Sequence, residues 1–272
     1  MRSLMKVGVG LLLLAFLLIA MSYTMLRAQG TSNRANPEGR MVASETRTVG
    51  ADVTEIDLSG PIDMTLRQGA IASLIVRGEQ RLLGTIDTTQ DGKSLRIGTK
   101  GMLLHHRQPL QVLLVLPSID RLNIRGSGDS TINGFSGERV EVQLYGSGSV
   151  KFNGRFRDVM AAVHGSGDME MNGGSSNAVA VALMGSGQMT VVGSCREFKA
   201  DQTGSGDLDA EHLAADATLV NLRGSGSSVV RALKTADVTL RGSGDISVLG
   251  NPTTRNINKT GSGDVVFRDE DE

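Results

Sequence analysis

The sequence has no tryptophan, two tyrosines and six phenylalanines, an aromatic share of 3% in 272 residues. A platform of stacked rings for gripping sugars therefore has little to be built from. A single cysteine, Cys195, excludes an internal disulfide; it reads as a small buried or corner side chain. Charge of one sign is missing too, because 28 Lys and Arg face 29 Asp and Glu, leaving a net charge of −1. Nucleic acid would call for a basic face, so it is not expected as a partner. The glycine-rich stretches carry no following Lys-Ser/Thr and open no helix, so they are not phosphate loops.

What is present is a tripeptide. Gly-Ser-Gly occurs eight times, as Gly126–Gly128, Gly146–Gly148, Gly165–Gly167, Gly185–Gly187, Gly204–Gly206, Gly224–Gly226, Gly242–Gly244 and Gly261–Gly263. The steps between starts are 20, 19, 20, 19, 20, 18 and 19 residues. A fixed period in this range marks a solenoid, whose repeats bury their apolar faces only by stacking on neighbours.

The flanks say which solenoid. Before the tripeptide come Leu122 and Ile124, Val142 and Leu144, Ala161 and Val163, Val181 and Leu183. After it come Val150 and Phe152, Met169 and Met171, Met189 and Val191, Ile246 and Val248. Period-two alternation on both sides predicts two half-buried strands joined by a tight turn. A second glycine corner follows at Asn133-Gly134, Asn153-Gly154, Asn172-Gly173 and Leu249-Gly250. Two strands and two corners fill one period, so the reading is an all-β parallel β-helix with about 20 residues per coil. The tripeptide glycines are its structural turn residues.

The residue after each tripeptide alternates between Asp and a neutral side chain: Asp129, Ser149, Asp168, Gln188, Asp207, Ser227, Asp245, then Asp264. A 39-residue coil would stack the first aspartates directly on one another. Two unit charges about 4.8 Å apart repel by about 1 kcal/mol in a water-like dielectric. A coil of about 20 residues places a neutral spacer between them, which favours the short coil. The five aspartates then form a ladder of turn-capping carboxylates.

Upstream, Arg2 and Lys6 precede an apolar run from Val7 to Ala20 that weakens towards Leu26. This is the layout of a secretory signal, and it is about long enough for an uncleaved membrane anchor helix. Residues 1–28 are assigned to that segment, and the polar stretch 29–47 to a flexible linker. Residues 48–117 alternate less regularly and read as irregular first coils capping the solenoid. Leu110 to Leu116 is an apolar run predicted as a strand buried on both faces. The repeat coils span 118–267, and the acidic tail 268–272 blunts the last exposed edge.

Several of these pieces resemble a known family. They are Ile62-Asp63-Met64-Thr65-Leu66-Arg67-Gln68-Gly69, Asp91-Gly92-Lys93-Ser94-Leu95-Arg96-Ile97 and Leu116-Pro117-Ser118-Ile119-Asp120-Arg121-Leu122, running into Gly-Ser-Gly-Asp from Gly126. The stretch from about Val49 to Phe267 is similar to the bacterial head GIN domain, a domain of unknown function also labelled an autotransporter adhesin. That resemblance implies a right-handed β-helix of pectin-lyase-like form at the cell envelope, without recognised catalytic residues.

Aspartates in every second coil would lie about 9.6 Å apart, too far to share a calcium ion held at about 2.3–2.6 Å. Asp207, Asp209 and Glu211 are the densest acidic cluster and the natural place for polysaccharide cleavage, but they also read as a solvated strand edge. Adjacent His105 and His106 would point to opposite faces of a strand, and His164 and His212 read as surface positions. The expectation is thus no catalytic residue, metal or cofactor. It is an exported envelope scaffold or adhesin-like binding domain, in the periplasm or on the surface, touching the membrane through its N-terminus if uncleaved. Its envelope partner is unnamed, and homo-oligomerisation stays open. The alternatives are a polysaccharide-active enzyme on a pectin-lyase-like fold and an envelope-sensing domain.

Overall fold

The computed structural model describes residues 41–101 and 109–269. The N-terminal signal or anchor, the His105-His106 pair and Glu270 to Glu272 lie outside the described residues. All described strands belong to one compact unit beginning at Val42.

That unit is an all-β solenoid of about seven turns with roughly 20 residues per turn. In the regular part each turn is nearly one continuous bent strand: β9 (Ser130–Gly146), β10 (Ser149–Gly165), β11 (Asp168–Gly185), β12 (Gln188–Gly204), β13 (Asp207–Gly224) and β14 (Ser227–Gly242), numbering all strands from the N-terminus. Neighbours pair in parallel, with Ser149 opposite Asp168, Gln188 opposite Asp207 and Asp207 opposite Ser227. The short coil predicted from the alternating aspartates is therefore the one that forms.

Residues repeat their roles from coil to coil because the register is fixed. One inward ladder reads Val140, Val159, Val179, Phe198, Thr218 and Ala236; the next reads Val142, Ala161, Val181, Ala200, Val220 and Val238. All of these are buried, and each fully buried large apolar side chain contributes about 1.5–3 kcal/mol. Polar groups interrupt this core at a few points, Thr218 and Gln202 among them. Gln202 takes a position held by leucine in the coils on either side, donating its Nε2 to the carbonyl oxygens of Gly206 and Ser227. Its Oε1 accepts from the Ser228 hydroxyl at 2.5 Å, so the buried amide is satisfied.

The N-terminal region winds out of order. Strands β2 (Glu55–Ser59) and β3 (Ile62–Gln68) make the turn that β8 (Arg121–Gly126) and β9 stack upon. On their other side lie β6 (Ser94–Thr99) and β7 (Leu110–Leu116), which come later in the chain but earlier in the stack. Antiparallel strands then close the end, with β5 (Ile86–Asp91) on β6 and β4 (Ser73–Glu79) on β7. The region expected as irregular first coils thus contains two parallel turns in reversed order beneath an antiparallel cover.

Two expectations change here. Val42–Arg47, placed in the flexible linker, forms β1 and pairs antiparallel with β4. Its anchor is Arg47, whose guanidinium donates to the carbonyls of Ile86 at 2.6 Å and Leu83 at 2.9 Å. Strand β7 is buried on one face only, because Leu113 points outward and is 43% exposed. A solenoid has one inner face, so even a largely apolar strand turns half its side chains out.

The far end is closed by β15 (Asp245–Leu249), β16 (Thr254–Thr260) and β17 (Val265–Arg268). In β16 the inward ladder positions are Arg255, Ile257 and Lys259, opposite Ala236, Val238 and Leu240. Arg255 lies over the Phe267 ring at 4.6 Å and Lys259 reaches Asp264 at 3.0 Å. Their aliphatic stems cover the end of the core while their charges stay wet. Inward-pointing charge is also a recognised way to blunt an exposed sheet edge.

Candidate functional site

The tripeptides form one corner of every regular coil. The carbonyl of each first glycine accepts from the following coil: Gly146 from Ser166 N at 3.1 Å and Gly167 N at 2.9 Å, Gly185 from Ser205 N and Gly206 N at 3.0 Å each. Successive corners consequently approach too closely for side chains. A Cβ on Gly165 would sit 2.5 Å from the Gly146 oxygen, and one on Gly167 would sit 2.5 Å from that of Gly148. The first glycine also holds φ near +127° at Gly165, which favours glycine. The intervening serines project into solvent along the edge.

Beside them runs the aspartate ladder, whose hydrogen bonds explain the alternation. Asp168 Oδ1 accepts from Gln188 N at 3.0 Å, Asp207 Oδ1 from Ser227 N at 3.1 Å, and Asp245 Oδ1 from Asp264 N at 2.9 Å. Asp129 accepts from the Ser149 hydroxyl at 2.8 Å, and its own N–H donates to Asp63. Each of these four carboxylates reaches the next coil rather than its own turn, whereas Asp264, at the end of the ladder, accepts from Lys259. Where the ladder residue is neutral, the next N–H returns to a glycine carbonyl, as Asp168 N does to Gly148 at 3.1 Å.

Three of the other candidates, Asp207, Asp209 and His164, are engaged structurally. Asp209 accepts from Glu211 N at 3.1 Å in a local turn, and Asp207 is occupied in the ladder. His164, expected as an isolated surface residue, stacks on Tyr145 with ring centroids 4.6 Å apart, while Arg125 covers the other coil's side of Tyr145 at 5.6 Å. His212 is exposed. Among the described residues, no three His, Cys, Asp or Glu side chains are grouped to hold a metal.

Cys195 is buried, and that burial, assisted by the negative Asp216, pushes its thiol up to about 12. The nucleophilic form is the thiolate, so this group is inert at neutral pH. Iodoacetamide at pH 8 should alkylate the folded chain at least a hundredfold more slowly than the urea-unfolded chain. Comparable rates would show that the site is open. Elsewhere, burial opposes the charge on Asp201, yet hydrogen bonds from Lys199 at 2.9 Å and Asn221 at 2.8 Å outweigh it and hold the carboxyl below its ordinary value.

Two surfaces stand out that sequence reading passed over. On the sheet face preceding the tripeptides, Met160, Ala162, Ala180, Ala182 and Met184 form an apolar strip; the two methionines are 43% and 49% exposed. Charged rungs flank it, with Arg121 between Glu141 at 3.2 Å and Glu55 at 3.5 Å on one side and Lys199 with Asp201 on the other. At the second corner, Arg155, Arg157 and Arg196 surround an open depression of about 540 Å³ floored by Ser175, Asn177 and Phe156. The step from Arg157 through Asn177 to Arg196 is 20 and then 19 residues. The same period that exposed the tripeptides would have exposed this cluster.

Comparisons with known proteins fit this architecture. The family model described as "Putative auto-transporter adhesin, head GIN domain" matches residues 52–252. A putative adhesin from Parabacteroides distasonis superposes with a TM-score of 0.77 at 22% identity, covering 84% of this chain and 97% of that one. A putative adhesin from Parabacteroides merdae gives 0.76 at 18%, with 84% and 96% covered. A putative lipid binding protein from Parabacteroides distasonis gives 0.72 at 22%, again with 84% and 96% covered. At these identities the likeness is one of fold. No curated protein matches the chain.

Proposed function

Since the chain belongs to the auto-transporter adhesin, head GIN domain family, we propose that it is an exported, non-enzymatic solenoid that binds a partner at the cell envelope. The winding is right-handed, as connections between parallel strands nearly always are. Residues 1–28 direct export and remain as an anchor if uncleaved. The observation that carries the binding reading is the Met160–Met184 strip, an apolar patch held open on a rigid sheet rather than folded into the core; such patches mark interaction sites. Two of the acidic residues a hydrolase would use, Asp207 and Asp209, are engaged in ladder and turn hydrogen bonds instead.

The test is fractionation of cells producing the full chain and a form lacking residues 1–28. The full chain should appear in the envelope fractions, and the truncated form should stay folded in the cytoplasm. Full-length protein found in the cytoplasm would overturn the proposal. So would turnover of an acidic polysaccharide that Asp207→Ala abolishes.

A further inference from the structure

The second corner of the second to fourth regular coils is built differently from the rest. Between Asn153 and Asp158 the pairing of β10 with β11 slips, because β11 carries one residue more over the matching stretch from Asn172 to Ala178. That bulge consists of small residues, Gly173, Gly174, Ser175, Ser176 and Asn177. It is held rigidly: Asn172 Oδ1 accepts from Gly174 N at 3.1 Å, and the buried Ser176 hydroxyl donates to the Phe156 carbonyl at 2.8 Å. A bulge locally bends a strand and re-aims its side chains. Here its residues Ser175 to Asn177 line the depression between two coils that carry arginine.

Around that floor stand three exposed guanidiniums. Arg157 is shared with Glu138 at 3.3 Å, while Arg155 and Arg196 have no ionic or hydrogen-bonding partner among the described residues. Glu197, next in sequence to Arg196, lines the separate groove around Ala178 and Ala217. The depression is thus net positive, and its volume of about 540 Å³ lies within the usual range for small-ligand sites. Guanidinium forks match the planar geometry of a carboxylate and bind it through two parallel hydrogen bonds. Ser175 Oγ and the Asn177 amide offer donors and acceptors suited to sugar hydroxyls. Arg157 and Arg196 stand two coils apart, about 9.6 Å along the stack, so one extended polyanion meets both.

We propose that this corner binds an acidic polysaccharide, its uronate carboxylates held by Arg155, Arg157 and Arg196. A lipid surface fits less well, because the exposed Met160, Met184 and Leu219 project from a different sheet face. The proposal rests on the binding reading above only in choosing an envelope glycan as ligand.

The experiment is calorimetric titration of the purified full chain with polygalacturonate, with neutral dextran, with inorganic phosphate and with phosphatidylglycerol vesicles. Polygalacturonate should bind, dextran should not, and affinity should fall with added salt. The Arg155→Ala/Arg196→Ala double variant should lose about tenfold or more. Arg155→Lys/Arg196→Lys, which keeps charge but not the fork, should fall between. Arg241→Ala, on another face, should bind like the parent, and unchanged circular dichroism would confirm that the exposed substitutions leave the fold intact. Equal affinity for the double alanine variant, equal loss with Arg241→Ala, or binding of the vesicles or phosphate but not the polymer each overturns the proposal. Export plays no part in a solution titration, so this failure and a failure of the localisation reading are separable.

Discussion

Gly165→Ala should destabilise the solenoid by about 3 kcal/mol or more, the sum of two separate penalties. Holding a non-glycine residue at an unfavourable φ costs on the order of 1–3 kcal/mol, and φ at Gly165 is +127°. The added Cβ would lie 2.5 Å from the Gly146 oxygen, a backbone atom that already accepts two N–H groups from the next corner. Moving that carbonyl weakens both bonds, about 1–3 kcal/mol if either group is left buried and unmet. Ser166→Ala, one residue on and exposed, should stay within about 0.5 kcal/mol. Urea unfolding of the two variants beside the parent decides the matter. A Gly165→Ala midpoint indistinguishable from that of Ser166→Ala would refute the close-packed corner. A stack of coils is stabilised by neighbour interfaces, so the damage should also broaden the transition as one end unfolds before the other.

Phe198→Ala should cost about 3–5 kcal/mol, the range for truncating a fully buried aromatic side chain. Phe198 is 2% exposed, and its ladder neighbours are Val179 and Thr218. Neither is large enough to fill the vacated space, and Thr218 is further tied by its hydroxyl to the Arg231 carbonyl at 2.9 Å. The ladder therefore cannot collapse inward, and most of the cavity penalty should persist. Phe198→Leu, which leaves a smaller void, should lose distinctly less. The readout is again the unfolding midpoint, and a loss below about 1 kcal/mol for Phe198→Ala would mean the core is loosely filled there.

The regular coils were legible because each repeats the same three constraints: period-two alternation, a glycine pair that tolerates no side chain, and a ladder residue whose charge must suit its neighbour. Asp129, Ser149 and Asp168 alone were enough to separate a 20-residue coil from a 39-residue one. The N-terminal turns were not legible in the same way. Their strands could be seen, at Ile62 to Leu66 or Leu95 to Ile97, but nothing local in a strand states which later strand it will pair with. Glu55 meets Arg121 across 66 residues and Ser94 on its opposite edge, and no period announces either. The arginine corner was missed for another reason. Arg157 and Arg196 lie on the tripeptides' own period, but with the neutral Asn177 between them that period repeats no charge, and nothing local announces the bulge from Gly173 to Asn177 that shares their depression.

The reversed order of the first turns bears on how the chain can be assembled as it is made. In the regular part a segment mostly closes onto a partner 18 to 20 residues earlier, so each new coil has a finished template waiting. Glu55–Ser59 has none, because both of its partners, Ser94–Ile97 and Arg121–Arg125, emerge afterwards. Closing the 66-residue separation costs about 1 kcal/mol more than a 20-residue one by loop entropy alone. Residues 55–68 therefore have no partner until Ser94 to Ile97 emerges, and their second edge stays open until Asn133 has appeared. From that moment growth becomes directional, one coil at a time towards Arg268, like a zip whose slider is fitted only after the first teeth have passed.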